Sequence, residues 1–368
     1  MRHHYVRSAA SAIALAALVA SLPLSAAIQR TFVASTGSDA NPCTLVQPCR
    51  SFTAAIAQTS AGGDIVVLDS AGYRGVTIGQ SVNIIAPPGV YAGVTVFGGH
   101  GITVSGSGIT VTLKGLTLNG TALNGINFID GAELSVEDCT ISGFAEGIRG
   151  FAPGARLVIR NTTIRKPNLY GVRLKGGNVA PIEVTISGVH VQDAGQYAAY
   201  IQGAVRAQIV DSTFVRAANQ AIFIDPDLAL LANRTIVDFV RVLAAESEAG
   251  LDFTVALANV TAEISLRDSE IAMNTNNGVS MNTSAGSGSA RLSIIDTHIH
   301  HNGADGFSVQ NPGGGVSLTV LTRNVITRNG DNGVYAGPNA VVRSAGDNRI
   351  DSNDGTEVLG TITTFGGV

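Results

Sequence analysis

The chain repeats one pattern of residues from Leu113 onward. The segments LSVEDCTISGFAEGI, LVIRNTTIRKPNLYGV and LSIIDTHIHHNGADGF show it well. Each has an alternating aliphatic strand, a polar turn, a short strand around a central aliphatic residue, and a polar loop that closes on a small residue and an aliphatic one. We place the central aliphatic residues, which recur every 23 to 29 positions, at Leu118, Ile141, Ile164, Val191, Phe214, Val242, Ile271, Ile299, Ile326 and Ile350.

A repeat of this length predicts a solenoid. Apolar and polar residues alternate at period two, which predicts strands that bury one face. The loops carry no helical pattern of about ten residues, so the repeats are not βαβ units, and the fixed leucine spacing of leucine-rich repeats is absent. We therefore predict an all-β fold, a single parallel β-helix of about ten coils and roughly 50 Å in length.

Residues 1–27 have the parts of a secretory signal peptide. Arg2 and Arg7 supply positive charge, an apolar stretch follows over residues 9–24, and the small residues Ser, Ala and Ala complete the segment. The apolar stretch is short for a membrane span, and no later run of about twenty apolar residues follows. We expect a secreted or periplasmic protein without a membrane span after removal of the signal.

Residues 28–62 are predicted to cap the solenoid, and residues 63–368 to form the β-helix. Ser51 is placed to cap a short helix with Phe52, Ala55 and Ile56 on one face. Gly62 and Gly63 would then turn the chain into the strand DIVVLD. Such a helix would cover the apolar end of the core and block edge pairing.

The chain has three cysteines. Cys43 and Cys49 bracket the short loop CTLVQPC, and an exported chain enters an oxidising compartment, so we predict a disulfide between them. Cys139 stands where sister repeats carry serine or threonine. It is predicted to be a small buried residue and not a nucleophile.

The N-terminal segment TFVASTGSDANPCTLVQPCRSFTAAIAQTSAGGDIVVLDSAGYRGVTI, followed by the coils, resembles the right-handed parallel β-helix proteins of the pectin-lyase-like superfamily. The resemblance covers nearly all of the mature chain and implies the right-handed sense of the coils. That superfamily contains polysaccharide lyases, glycoside hydrolases, uronate epimerases, phage tailspikes and secreted proteins without known activity. The fold alone therefore fixes no reaction.

The marked enzyme motifs of the superfamily are missing. Of the polygalacturonase-like signatures NTD, an Asp pair, HG and RIK, the sequence keeps only His100-Gly101. The WiDH segment of pectate-lyase-like enzymes requires a tryptophan, and the chain has none. The string Asp225-Pro226-Asp227 lacks the histidine of the epimerase motif DPHD and is interpreted as a loop turn.

Equal positions of successive coils form rows along a solenoid. One row three residues after the central aliphatics is predicted to be a hydrogen-bonded amide ladder of Asn274, Asn302, Asn329 and Asn353. A second row, three residues before them, suits turns and consists of Asp138, Asn161, Asp211, Asp268, Asp296 and Asp347. Calcium binding is the alternative for this row, although a single row converges poorly on an ion. The sequence requires no cofactor.

Two clusters of polar side chains are predicted on the outer surface. The first contains Arg165, Lys166, His190, Asp193 and Arg216, with Tyr170 and Tyr197 in adjoining loops. Its cations would pair with the carboxylates of a uronate-rich polysaccharide while the tyrosines stack on sugar rings. The second contains His298, His300, His301, Glu270, Asp305 and Arg328. Either cluster is also explained as an ordinary solvated face, and we assign no metal site.

The favoured function is binding, or modification, of an acidic polysaccharide. As an enzyme the protein would act by β-elimination or epimerisation of a uronate, with Lys166 or His190 as base and Arg165 and Arg216 as charge partners. The alternative is a noncatalytic, adhesin-like surface rod that binds a protein partner. The net charge of −4 and the pI near 6.0 give no basic field for nucleic acid, which we exclude as a partner.

Overall fold

The computed structural model describes residues 28–177, 180–226, 234–284, 286 and 288–365, and this part of the chain folds as a parallel β-helix. The predicted signal peptide lies outside the described residues. Each coil passes through three strands that belong in turn to sheets A, B and C. All strand pairs within these sheets are parallel, as in the pairs between successive coils of each sheet.

Over the described residues, sheet A has 14 strands and sheets B and C have 12 each. The strands of sheet A are Ile28–Val33, Thr59–Val67, Val82–Ile85, Thr110–Lys114, Glu133–Glu137, Arg156–Arg160, Ile182–Ser187, Val205–Val210, Arg234–Val240, Thr261–Arg267, Ser289–Ile295, Val316–Thr322, Val341–Ser344 and Ile362–Thr364. The strands of sheet B are Ala71–Gly72, Ala92–Val96, Leu116–Gly120, Thr140–Ser142, Thr163–Arg165, His190–Gln192, Thr213–Val215, Leu243–Ala245, Glu270–Ala272, His298–His300, Val325–Thr327 and Arg349–Asp351. The strands of sheet C are Val76–Ile78, His100–Ser105, Asn124–Asp130, Glu146–Gly150, Tyr170–Lys175, Tyr197–Gln202, Gln220–Asp225, Ala249–Val255, Val279–Thr283, Phe307–Gln310, Val334–Ala336 and Val358–Leu359. The helix is thus about twelve coils long and not about ten, because the segments before Leu113 stack as full coils.

The central aliphatic residues form the predicted inward column, with one exception. Ile141 pairs with Ile164 in the register of sheet B, and both are fully buried. Phe214, however, pairs with Ala244, so the prediction of Val242 at this position is wrong. The interval from Phe214 to Ala244 is 244 − 214 = 30 residues, because this coil has a longer connection between sheets C and A.

The observed register also fixes the positions of two residues near Ala244. Leu243 becomes the residue before the central aliphatic, opposite Thr213. Arg241 lies three residues before Ala244, in the turn between sheets A and B, with a φ of 53°. It therefore does not flank the inward column on the outer face of sheet B.

The turn between sheets A and B requires a left-handed residue at its first position. The residues there include Asp138, Asn161, Asp211, Asp268 and Asp296, whose φ angles lie between 46° and 53°. Aspartate and asparagine tolerate this region better than other residues with a Cβ atom. The turn role predicted for the acidic row is therefore confirmed at these five positions. Asp347, the last residue of that row, instead accepts the backbone N–H of Arg323.

The predicted asparagine ladder is present in the turn between sheets B and C. The Nδ2 atom of Asn274 donates to Oδ1 of Asn302 at 2.9 Å, Asn302 donates to Asn329 at 3.0 Å, and Asn329 donates to Asn353 at 2.9 Å. Each amide of the first three also bonds a backbone carbonyl of the preceding coil. Asn274, Asn302 and Asn329 are buried, so these bonds satisfy polar groups that burial would otherwise leave unpaired.

The turn between sheets A and B holds a second row of small buried polar side chains. The Oγ atom of Ser212 accepts the backbone N–H of Val189 in the coil before it. Cys139 occupies the same row and is buried, as predicted, and burial raises the pKa of its thiol to about 12. A thiol of this kind is not a nucleophile near neutral pH.

The N-terminal segment contains the predicted short helix. The helix is Phe52–Gln58, and the Oγ atom of its N-cap Ser51 accepts the N–H of Ala54 at 3.2 Å. Phe52 and Ala55 are buried against the core. The following strand begins at Thr59, so Gly62 and Gly63 lie within it and not before it. The predicted disulfide between Cys43 and Cys49 is formed.

The inward column generates a stability prediction. Ile164, Ile271 and Ile299 are fully buried, so Ile→Ala at each site should lower the free energy of unfolding by about 2–5 kcal/mol through lost contacts and cavity formation. Arg165→Ala, His190→Ala and His300→Ala, on the outer face, should cost under about 0.5 kcal/mol. Chemical denaturation midpoints measure the difference. Equal destabilisation in both sets would contradict the assigned faces, because a one-residue slip exchanges them.

Candidate functional site

The predicted catalytic cluster is divided between different parts of the coil. Arg165 and His190 lie on neighbouring strands of sheet B, with Arg165 exposed and His190 half-buried. The Nε2 atom of His190 lies 2.8 Å from Oε1 of Gln192 on the same strand. The Nε2 atom of Gln192 in turn donates to Asp193 at 2.9 Å. The imidazole is therefore the first member of a hydrogen-bonded chain along this surface.

The other charged residues of that cluster lie in the turn that follows sheet B. Lys166, Asp193, Arg216 and Glu246 occupy left-handed positions after successive strands of sheet B, with φ between 49° and 58°. The Nε atom of Arg216 lies 2.7 Å from Oδ1 of Asp193, and its Nη1 atom lies 3.7 Å from Glu246. The hydrogen bond from Arg216 holds the pKa of Asp193 below its ordinary value. Alternating charges thus compensate one another along this turn.

The predicted histidine cluster is joined by hydrogen bonds. The Nε2 atom of His300 lies 3.1 Å from Oε1 of Glu270, and its Nδ1 atom lies 2.8 Å from Nδ1 of His301. The Asp305 carboxylate instead accepts the backbone N–H of Asn332. Within the described ranges, no group of three or more His, Cys, Asp or Glu side chains is arranged to hold a metal ion.

Aspartates of the acidic row, for which calcium binding was the alternative, form ion pairs with arginines. The Nε atom of Arg241 lies 2.5 Å from Oδ1 of Asp211, and the Nη2 atom of Arg323 lies 2.6 Å from Oδ2 of Asp296. These hydrogen bonds hold the pKa values of Asp211 and Asp296 below their ordinary range. The carboxylates therefore have cationic partners in the turn, which favours a structural role over calcium binding.

The two predicted tyrosines belong to a larger aromatic cluster on the outer face of sheet C. Tyr170 and Tyr197 begin neighbouring strands, and their rings are stacked with centroids 5.7 Å apart. Tyr200 lies 5.2 Å from Tyr197, and Phe223 lies 5.4 Å from Tyr200 between ring centroids. We call these four residues the aromatic platform. Tyr170, Tyr197 and Phe223 are half-buried, so parts of their rings face solvent.

A cluster of cations adjoins the aromatic platform. The guanidinium of Arg173 lies 5.0 Å from the ring centre of Tyr170 and 5.1 Å from that of Phe151. Arg149 and Lys175 lie 4.0 Å and 5.5 Å from the same Phe151 ring. These distances permit cation–π attraction. We call Arg149, Arg173 and Lys175 the cation cluster.

One buried carboxylate lies beside the cation cluster. The Nη1 atom of Arg173 donates to Oε1 of Glu146 at 2.9 Å, and the Nε atom of Arg149 lies 3.9 Å from Oε2. Glu146 is buried, so its charge requires these partners. The three cations and this one carboxylate leave a local excess of positive charge next to the aromatic rings.

Two further carboxylates lie at the other end of the aromatic platform. The Tyr200 hydroxyl donates to Oδ2 of Asp225 at 3.1 Å. Burial, followed by the charge of Asp225, raises the pKa of Tyr200. Asp252 pairs with Phe223 in the register of sheet C, and burial raises its pKa to about 6 despite a hydrogen bond from Ser280.

Arg173, Tyr200 and Phe223 are not among the residues predicted from the sequence. The repeat aligns on the short strand of sheet B, and its closing small residue and aliphatic residue resemble the end of a loop. In fact a strand of sheet C begins there, and the residue after the aliphatic faces outward. The signal was present in the strings GVRLK, AAYIQ and AIFID, whose third residues form one row.

Among the residues that the structure describes, a helix with the length and apolar character of a membrane span is absent.

A sequence profile described as "Right handed beta helix region" matches residues 100–238 and 154–361, which together exceed half of the chain. No curated protein matches the sequence.

Several solved structures share the fold. The Dettilon tailspike protein is 11% identical with a TM-score of 0.61, and 90% of this chain and 69% of that chain are covered. The catalytic domain of a GH87 α-1,3-glucanase in complex with tetrasaccharides is 12% identical with a TM-score of 0.57, covering 86% and 68%. Pectate lyase Pel9A is 13% identical with a TM-score of 0.52, covering 81% and 76%. At these identities the likeness shows the fold.

The raised pKa of Asp252 predicts a dependence of stability on pH. Its pKa rises from 3.8 to about 6 on folding, so between these values the folded state retains a proton that the unfolded state has released. The free energy of unfolding should therefore fall as the pH rises through this window. Asp252→Asn should be more stable than the wild type above pH 6, by up to about 2–3 kcal/mol, and the two should converge below pH 4.

Denaturation midpoints between pH 3 and 8 measure this difference. Asp211→Asn serves as the control, because the hydrogen bond from Arg241 lowers the pKa of Asp211. The stability of this variant relative to the wild type should therefore fall as the pH rises, the opposite of the trend for Asp252→Asn. An Asp252→Asn variant that gains no stability at pH 8 would contradict the prediction.

Proposed function

The chain belongs to the right-handed parallel β-helix family, and on this premise we propose that it binds carbohydrate on the outer face of sheet C. The observation that carries the proposal is the aromatic platform beside the cation cluster. Aromatic rings on a fixed scaffold offer apolar faces, and tyrosine hydroxyls add hydrogen bonds at the edge. A sugar ring has the matching combination of apolar C–H faces and peripheral hydroxyls.

The proposed ligand carries carboxylates, as in a uronate-containing polysaccharide. Arg173 contacts both the ring of Tyr170 and the carboxylate of Glu146, so its guanidinium is held at the edge of the platform. A guanidinium in a fixed position can pair with a sugar carboxylate through two hydrogen bonds. Lys175 and Arg149 add positive charge nearby.

The solved structures that share the fold support a carbohydrate ligand in general. One neighbour is a pectate lyase, and another is an α-1,3-glucanase bound to tetrasaccharides. We infer a similar class of ligand for this chain. The predicted signal peptide and the disulfide between Cys43 and Cys49 support a secreted or periplasmic location, where such polymers are found.

Uronate binding is expected to depend on the platform and on Arg173. Tyr197→Ala should weaken binding of a galacturonate hexasaccharide about tenfold, because it removes an anchoring ring. Arg173→Gln should weaken this binding by a similar factor and leave binding of the neutral galactose hexasaccharide unchanged. Calorimetric titration measures both effects.

Tyr91→Ala is the matched control, because Tyr91 is an exposed tyrosine between sheets A and B. It should bind as the wild type does. If the wild type binds no galacturonate, alginate or glycosaminoglycan oligomer, the proposal fails. If it also captures a specific protein, the adhesin-like rod becomes the preferred function.

The predicted catalytic role of Lys166 and His190 remains a proposal. In β-elimination the base would take the proton beside the uronate carboxylate, a carbon–carbon double bond would form, and the glycosidic oxygen would leave as an alcohol after gaining a proton. Arg165 and Arg216 would neutralise the carboxylate. The pairing of Arg216 with Asp193 at 2.7 Å competes with that role.

Ultraviolet absorbance of the unsaturated product tests the lyase reaction on pectate, alginate and glycosaminoglycans. The wild type should form the product, and either Lys166→Ala or His190→Ala should lower the rate by at least 100-fold, the usual contribution of a general base being about 10²–10⁴. If the wild-type protein forms no unsaturated product, the lyase reaction is excluded. If NMR detects no proton exchange in the substrate, the epimerase reaction is excluded. Binding to the platform would be unaffected by that result.

A further inference from the structure

A row of side chains extends from the aromatic platform toward the N-terminal cap. Its members pair in register through five successive strands of sheet C and are His100, Asn124, Glu146, Tyr170 and Tyr197. Four steps at the spacing of paired strands, about 4.8 Å, give the row a length of roughly 19 Å. The row is therefore long enough for several sugar units and longer than the platform alone.

A cavity of about 600 Å³ lies at the N-terminal end of this row. Its lining includes Thr53 of the cap helix, Val76 and Thr103 of sheet C, and His100 itself. Gly98 and Gly99 form one wall of the cavity. A Cβ atom added at either glycine would have no other atom within 4 Å. The cavity is thus open to solvent beside the row.

An unusually exposed aromatic residue lies next in the sequence to the glycines of the cavity wall. Phe97 is 82% exposed and directly precedes the two glycines of the cavity wall. Most phenylalanine rings are buried, whereas the ring of Phe97 is accessible and can stack on a sugar face. Phe97 therefore offers a second aromatic face, separate from the platform.

His100 provides a polar group at the same place. Its Nδ1 atom is buried and has no hydrogen-bond partner among the described residues. Burial, and then the charge of Arg149, lowers the pKa of its ring, so the imidazole is neutral near pH 7. A neutral imidazole can donate a hydrogen bond to a sugar hydroxyl or accept one from it.

We infer that the sugar site has a second, remote subsite formed by Phe97 and His100, and that the ligand is a linear polysaccharide lying along the axis of the β-helix. The inference rests on the proposed function. The platform binds one part of the polymer, and Phe97 with His100 binds a part about three to four coils away. Asn124 and Glu146 lie between the two subsites in the row, and both are buried.

The length dependence of affinity tests this inference. Wild-type protein should bind a galacturonate hexasaccharide at least tenfold more tightly than the disaccharide, because the longer chain reaches both subsites. Phe97→Ala and His100→Gln should each remove most of that gain and leave the disaccharide affinity unchanged. Val316→Ala, which shortens an exposed apolar side chain on sheet A, is the control and should change neither affinity.

The outcomes separate this inference from the proposed function. If the wild type binds both oligosaccharides equally, or if Phe97→Ala and His100→Gln bind the hexasaccharide as tightly as the wild type does, the remote subsite is wrong and the platform stands. If Tyr197→Ala has no effect on either oligosaccharide, the platform itself is wrong. Circular dichroism spectra that match the wild type establish that each variant is folded.

Discussion

The fold depends on the parallel backbone pairing that joins each strand to the strand at the same position of the next coil. This pairing fixes the register, as in the pair of Ile141 with Ile164, and places equivalent residues in rows along the axis. A side chain on one coil therefore has the equivalent side chain of the next coil as its neighbour, about 4.8 Å away. Both the inward column and the outward rows follow from this single constraint.

The same constraint explains how the turns tolerate polar and charged residues. Buried amides such as Asn302 bond the next amide and a backbone carbonyl, so stacking satisfies groups that one coil could not satisfy alone. Charged turn residues of opposite sign, such as Asp193 and Arg216, become neighbours and compensate each other. A cation in these turns has less freedom to bind a ligand than the sequence suggests, because its partner is supplied by the adjacent coil.

The outer face of sheet C differs because its rows combine aromatic, cationic and acidic residues. Arg173 contacts Tyr170 and the buried Glu146, and Tyr200 donates to Asp225. These contacts hold the side chains in place before any ligand binds, which lowers the ordering cost of binding. The face also continues in register to His100, so stacking that stabilises the rod extends the proposed sugar site along it.

The sequence by itself determined the β-helix, the inward column and the asparagine ladder, because these depend on patterns that recur from coil to coil. It also determined the cap helix and the disulfide, because each depends on residues that are close together in the chain. It also found Tyr170 and Tyr197. Only the tertiary structure decided that Ala244 and not Val242 enters the column, since a long connection changes the spacing without changing the pairing. Only the structure placed Arg173 and Tyr200 beside these tyrosines and paired Arg216 with Asp193. The reason is that neighbours in a solenoid are set by the register between coils, which a repeat of variable length does not specify.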